Sequence, residues 1–217
     1  MPSADGRPPA AVPPVICGLP YRSILLTVVN WQIDPVTTDP RGLTIRTATV
    51  ADAAGVAAVM NAVIADGAWT LFDRPFSVEE ERRFIGSLGP RSALRIAEAD
   101  GEIVGVQSLD LHTPMAASMS HVATMGTWLR ADARGRGIGF ALAEESLQFA
   151  TAAGYTKILI QVLAGNGRAL RFYRRLGFQT VGVARRHVRL GGVFHDEVLL
   201  EVELTQVASA RRAYRRL

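Results

Sequence analysis

The chain has 217 residues, of which 48% are hydrophobic, enough to build a core for one domain of ordinary size with a modest extension. Its single cysteine, Cys17, excludes an internal disulfide, and its four histidines (His112, His121, His187, His195) lack both i, i+4 spacing and neighbouring cysteines, which argues against a metal site. The net charge of +4 suits an anionic partner, without choosing among nucleic acid, a membrane surface and a phosphorylated ligand.

Residues 1–41 carry eight prolines that break any regular element, and read as an N-terminal extension or linker. Within them the apolar patch Ile24–Val29 is too short to cross a bilayer, and Pro20 and Arg22 spoil it as the core of a signal peptide; a packed edge strand is the expectation. With no membrane segment and no sign of an oxidising compartment, a cytoplasmic location is the default. Residues 42–205 read as the folded domain and 206–217 as a basic C-terminal tail bearing Arg211, Arg212, Arg215 and Arg216. These arginines, and the cluster Arg168, Arg171, Arg174 and Arg175, read as a frayed basic end and a solvated helix face; no nucleic-acid motif accompanies them.

From Leu43 to Ala48 the alternation is that of a half-buried strand, and Thr49 with Asp52 resembles a capping box opening a helix through Ile64. Ser77 and Glu80 repeat that start signal for a second helix ending near Leu88. Leu94–Ala99 and Ile103–Leu111 form a hairpin around Asp100-Gly101, and a long strand over about Ser120–Arg130 leads to a glycine-rich loop and a helix that Gly154 ends. Lys157–Leu163 is a short apolar strand, Asn166–Leu176 a helix, and Gln179–His187 and Phe194–Leu204 two last strands. One βαβ step within otherwise antiparallel runs gives a mixed α/β (α+β) fold class.

Arg134-Gly-Arg-Gly-Ile-Gly139 lies between a strand and an amphipathic helix. Glycines there let the backbone approach a ligand, while the helix N-terminus favours a pyrophosphate. The loop lacks the Gly-Lys-Ser/Thr of a Walker loop, and its G-x-G-x-G spacing after a late strand does not fit a dinucleotide fold. By itself it also reads as a flexible surface turn. In Asn166-Gly-Arg-Ala-Leu-Arg-Phe-Tyr173-Arg-Arg-Leu-Gly-Phe178, Asn166 and Tyr173 share a helix face about 10 Å apart, with the arginines opposite. In isolation they read as a helix cap and a core aromatic.

Together the two segments resemble the GCN5-related N-acetyltransferase (GNAT) superfamily, whose R/Q-x-x-G-x-G/A signature matches Arg134, Gly137 and Gly139, and whose N-x(2)-A-x(2)-F/L-Y-x(3)-G-F segment matches Asn166 through Phe178. The resemblance covers roughly residues 43–204, and the stretches around His121–Gly126 and Gly192–Leu200 look like members that acetylate amino acids and other small amines. It implies a mostly antiparallel sheet, flanked by helices, whose central strands splay to admit the pantetheine arm of acetyl-CoA. Trp128 and Leu129 would offer backbone groups to the acyl end, and Arg134, Gly135, Arg136, Gly137, Ile138 and Gly139 would hold the pyrophosphate. Asn166 would contact the pantetheine arm or the nearby backbone, although Gly165 and Gly167 beside it depart from the family pattern.

Tyr173 is then the expected general acid, its ordinary pKa of about 10 being close to that of the thiol leaving group. It also disfavours the phosphinothricin acetyltransferases, which usually have histidine there. Asp110, His112 and His121 stand as candidate bases beside ordered water, and the Leu129 N–H as the oxyanion donor. The loop Trp69–Pro75 and the hairpin before Phe194 would select the acceptor, an amino acid or another small amine. A peptide acceptor, a non-catalytic acyl-CoA-binding role and a homodimer are left open.

Overall fold

The computed structural model describes residues 37–38 and 42–205, Ala68 excepted. The Ile24–Val29 patch and the four tail arginines lie outside them. Thr37–Thr38, inside the proline-rich extension, forms a two-residue strand (β1) paired antiparallel with Thr44–Thr47 (β2).

The capping signals act as read. Asp52 accepts from the Thr49 N–H (2.7 Å) and hydroxyl (2.9 Å), and a short 3-10 turn, Val50–Asp52, feeds helix α1, Ala53–Ala65. At helix α2, Val78–Ser87, Glu80 accepts from the Ser77 N–H (2.8 Å) while Ser77 Oγ accepts from the Glu80 N–H (3.2 Å). Asp100 (φ 53°) and Gly101 (φ 78°) make the left-handed turn joining strands β3, Ala93–Ala99, and β4, Glu102–Leu111. There follow β5 (Val122–Leu129), α3 (Ile138–Ala152), β6 (Lys157–Leu163), α4 (Gly167–Arg175), β7 (Gln179–Leu190) and β8 (Val193–Glu203). The last hairpin is tighter than expected, because Gly191 and Gly192, both at positive φ, reverse the chain with only two residues between the strands.

The eight strands form one sheet in the order β1-β2-β3-β4-β5-β6-β8-β7. All pairings are antiparallel except β5 with β6. Helices α1 and α2 cover one face through Val56, Val59, Met60 and Ile85 against Leu94, Ile96 and Val106. On the other face α3 packs Leu142 and Leu147, and α4 packs Leu170 and Tyr173, onto β4, β5, β6 and β8. Both clusters are built from alternate strand residues, as a sheet covered on two sides requires.

Candidate functional site

The parallel pair β5–β6 is the one incomplete pairing in the middle of the sheet. It holds only at Val122↔Lys157 and Ala123↔Ile158, whereas β4–β5 and β6–β8 are paired over seven residues each. Beyond Ala123 the strands part, and the expected splay is present.

Register decides what faces the gap. The Arg130 N–H donates to Val104 O and the His112 N–H to Val122 O, so even-numbered residues of β5 form the hydrogen-bonded pairs with β4. Odd-numbered Thr127 and Leu129 therefore turn their N–H and C=O groups toward β6, into the opening. The expectation for Leu129 has a geometric basis, while that for Trp128 needs correction: its main-chain groups are directed at Val106 of β4. Its indole instead lies along the strand over Gly126, where a β-carbon would collide with the ring.

At the open end of the gap, Gly135 (φ 77°) and Gly137 (φ 84°) hold the chain in left-handed conformations with nothing within 4 Å of where a β-carbon would stand. The space next to this backbone is free for a ligand. Gly137 caps α3, leaving the Ile138 and Gly139 N–H groups at the positive end of a fifteen-residue helix. The Ile138 side chain is buried, so its contribution is its backbone. Gly139 brings the helix against Phe172 and Leu129. Arg134 lines the cleft as well, but its side chain is already engaged. Arg134 donates from Nε to Leu129 O (3.1 Å) and from Nη2 to Asp66 (2.5 Å), tying the end of β5 to the end of α1. Arg136 is exposed and is not among the residues lining the cleft.

That cleft has a volume of about 1000 Å³ and runs from Thr127, Trp128 and Leu129 past the glycine loop to α4. Asn166 lies on its wall and caps α4, its Oδ1 accepting from the Ala169 N–H at 3.0 Å. The α4 arginines are more than a solvated face: Arg168, Arg171 and Arg175, at i, i+3 and i+7, form a stripe on the cleft wall, with Arg175 over the Phe140 ring at 4.9 Å. Helical spacing could have found this stripe, but not which way the helix turns.

Tyr173 is buried, and its hydroxyl lies 3.0 Å from Thr127 Oγ1; both residues line the cleft. Edge-to-face contacts with Phe172 (4.9 Å) and Phe178 (5.3 Å) fix the ring, and Phe140 extends the row to α3. Burial pushes its pKa up to about 12, partly offset by the Thr127 hydrogen bond. The near match with a thiol is thus lost: the hydroxyl stays protonated at working pH but is the weaker acid. Thr127, missed by the sequence reading, was accessible only through strand parity.

None of the three candidate bases is among the cleft-lining residues. Asp110 accepts from Ser92 Oγ (2.6 Å) and the Leu111 N–H (2.7 Å), and His121 is exposed. In the loop between α1 and α2, Trp69 lines the cleft and Phe72 packs against Phe76 (4.9 Å) and Trp128 (6.0 Å). Asn61 clamps that loop, its amide donating to Phe76 O and accepting from the Phe76 N–H, both at 2.8 Å. Among the described residues there is no cluster of metal-ligating side chains and no helix long and apolar enough to cross a membrane.

Solved structures of acetyltransferases share this fold. An N-acetyltransferase from Staphylococcus aureus superposes with a TM-score of 0.71 at 19% identity, over 75% of this chain and 98% of that one. The Salmonella typhimurium acetyltransferase yncA, solved with acetyl-CoA, gives 0.70 at 18% identity, over 75% and 94%. In sequence, the L-methionine sulfoximine/L-methionine sulfone acetyltransferase of Pseudomonas aeruginosa is 24% identical over 168 residues, 76% of this chain and 97% of that protein. The N-alpha-acetyltransferase RimI of Mycobacterium tuberculosis is 42% identical over 59 residues, 27% of this chain and 35% of that protein. The profile of the acetyltransferase (GNAT) family matches residues 61–178, just over half of the chain. The chain belongs to the GNAT family and is an acyltransferase with acetyl-CoA as its co-substrate.

Proposed function

We propose that the protein transfers the acetyl group of acetyl-CoA to the primary amine of an amino acid or a similar small molecule, with Tyr173 as general acid. The observation that carries this reading is the Tyr173 hydroxyl held 3.0 Å from Thr127, both residues lining the cleft that also takes in the glycine-lined end of α3. The Ile138 and Gly139 N–H groups, with Arg168, Arg171 and Arg175, suit the phosphates, and Asn166 suits the pantetheine arm. The catalytic unit in this reading is residues 42–205. A neutral amine attacks the thioester carbonyl, and the outward N–H of Leu129 or Thr127 receives the oxyanion. Collapse of the adduct expels a thiolate, to which Tyr173 gives its proton.

The acceptor class is supported by the methionine sulfoximine/sulfone relative, matched over nearly its whole length, and by the aromatic wall of Trp69, Phe72 and Trp128. The short RimI match supports a peptide acceptor less, since it spans about a third of that protein. Release of CoA, followed with a thiol reagent over a panel of free amino acids, methionine sulfoximine, polyamines and peptides, tests the reading. Free amino acids or their analogues are the expected acceptors; turnover confined to peptides overturns that part. Tyr173→Phe is expected to lower kcat by roughly 10²-fold with acetyl-CoA binding little changed, and wild-type turnover in this variant removes Tyr173 as the acid.

A further inference from the structure

Four polar residues stand directly opposite one another across four adjacent strands. Thr47 of β2 pairs with Arg95 of β3, Arg95 with Gln107 of β4, and Gln107 with Thr127 of β5. The row crosses the middle of the sheet on the face covered by α3, flanked along the strands by the buried apolar residues Ala97, Leu109 and Met125, and Arg95 and Gln107 are 2% and 0% exposed. Burying a guanidinium and an amide there is costly, and apolar side chains of similar size would fill the space. Arg95 Nη1 donates to Thr47 Oγ1 at 2.7 Å, Gln107 Nε2 donates to Thr127 Oγ1 at 2.8 Å, and Thr127 Oγ1 lies 3.0 Å from the Tyr173 hydroxyl. The polar row therefore ends on the proposed acid.

The direction of these bonds matters more than their number. Arginine can only donate, so the side chain opposite it is best placed with its oxygen toward the cation. For Gln107 this turns the amide NH₂ to Thr127, as observed, and Gln107 Oε1 has no hydrogen-bond partner of its own. With one Thr127 lone pair occupied by Gln107, the threonine hydroxyl is free to donate to the tyrosine oxygen. Only that arrangement leaves the spare proton on Tyr173, on the wall of the cleft. A reversed amide would claim the threonine proton, and Thr127 would then hold the tyrosine proton.

We propose that Gln107 and Thr127 are positioning residues whose donors point one way, toward Tyr173, with Arg95 opposite Gln107 setting the sense of its amide, and that together they present the Tyr173 proton to the departing sulfur. The inference rests on Tyr173 being the acid and explains how a buried tyrosine can serve as one. In the step, the C–S electron pair goes to sulfur, the Tyr173 O–H bond breaks and an S–H bond forms. The tyrosinate is held by the Thr127 hydroxyl and is restored by the proton that the newly acylated nitrogen sheds. A donor aimed at the phenolic oxygen strengthens as that oxygen becomes anionic, so the help is greatest when the proton is leaving.

The experiment is a double-mutant cycle. Thr127→Val keeps shape and loses the hydroxyl, Thr127→Ser keeps the hydroxyl, and Gln107→Glu keeps shape but replaces the donor by an acceptor; each is made with Tyr173 and with Tyr173→Phe. Valine is expected to lower kcat about tenfold or more, with KM for acetyl-CoA within about twofold, and serine to restore most of the loss. In the Tyr173→Phe background valine should cost nothing further. Gln107→Glu should act like valine, and it serves by itself if the valine variant does not fold. The proposal is overturned by a wild-type kcat in Thr127→Val, by equal losses in both backgrounds, or by serine failing to rescue. If Tyr173→Phe itself turns over normally, the assignment of the acid falls, an outcome distinct from a chain that fails while Tyr173 matters.

Discussion

At Gly137 one backbone angle serves two purposes: φ of 84° lets the chain turn into α3, and the missing side chain leaves the helix N-terminus open. Gly137→Ala adds only the left-handed strain, roughly 1–2 kcal/mol. Gly137→Asp adds a negative charge where phosphate oxygens are to sit. Calorimetry with CoA is expected to show a loss of about 10²-fold or more for aspartate and a much smaller one for alanine, with the fold kept in both. Equal binding by Gly137→Asp would remove the phosphate assignment. Arg134 shows the limit of a motif read from sequence: its position matches, yet its side chain is engaged with Leu129 O and Asp66, so it shapes the opening.

Elements are held in place by a few buried or half-buried polar ties. Arg46 of β2 bonds both oxygens of Asp52 at the entry to α1 (2.8 and 2.7 Å) and Glu98 of β3 (3.1 Å), linking two strands to a helix start. The Arg46 guanidinium, with help from Thr49, holds the Asp52 carboxyl down to about 2. Because the folded value lies below the unfolded value near 4, the tie contributes fully above about pH 4 and is lost as pH falls toward 2. Discounted for partial exposure, it is worth on the order of 1–2 kcal/mol. Unfolding free energies from urea titrations of Asp52→Asn and wild type are expected to differ by that amount at pH 7 and to converge toward pH 2. A constant difference across that range would mean that helix capping alone accounts for the loss.

Across the whole molecule the charge is modest, +4, but three cations are gathered on one wall of the cleft. A low-dielectric cleft lined by one sign of charge concentrates an anionic substrate. Replacing Arg168, Arg171 and Arg175 together by Gln is expected to weaken acetyl-CoA binding about tenfold or more and to flatten the dependence of Kd on salt, while Tm changes little. An unchanged salt dependence would return these arginines to the solvated face first expected of them.

The sequence alone was enough for the order and type of the elements from β2 onward, because capping boxes at Thr49 and Ser77, the Asp100-Gly101 turn and strand alternation are local signals carried by adjacent residues. It also determined the family, since two motifs in register need only spacing. Tertiary structure decided which groups meet. Strand register turned Thr127 and Leu129 to the gap and Trp128 away from it, packing of α4 brought an arginine stripe onto the cleft wall, and burial moved Tyr173 to about 12. The Thr47–Arg95–Gln107–Thr127 row spans eighty residues of chain; only the pairing of four strands makes it a row, and no local pattern encodes that pairing.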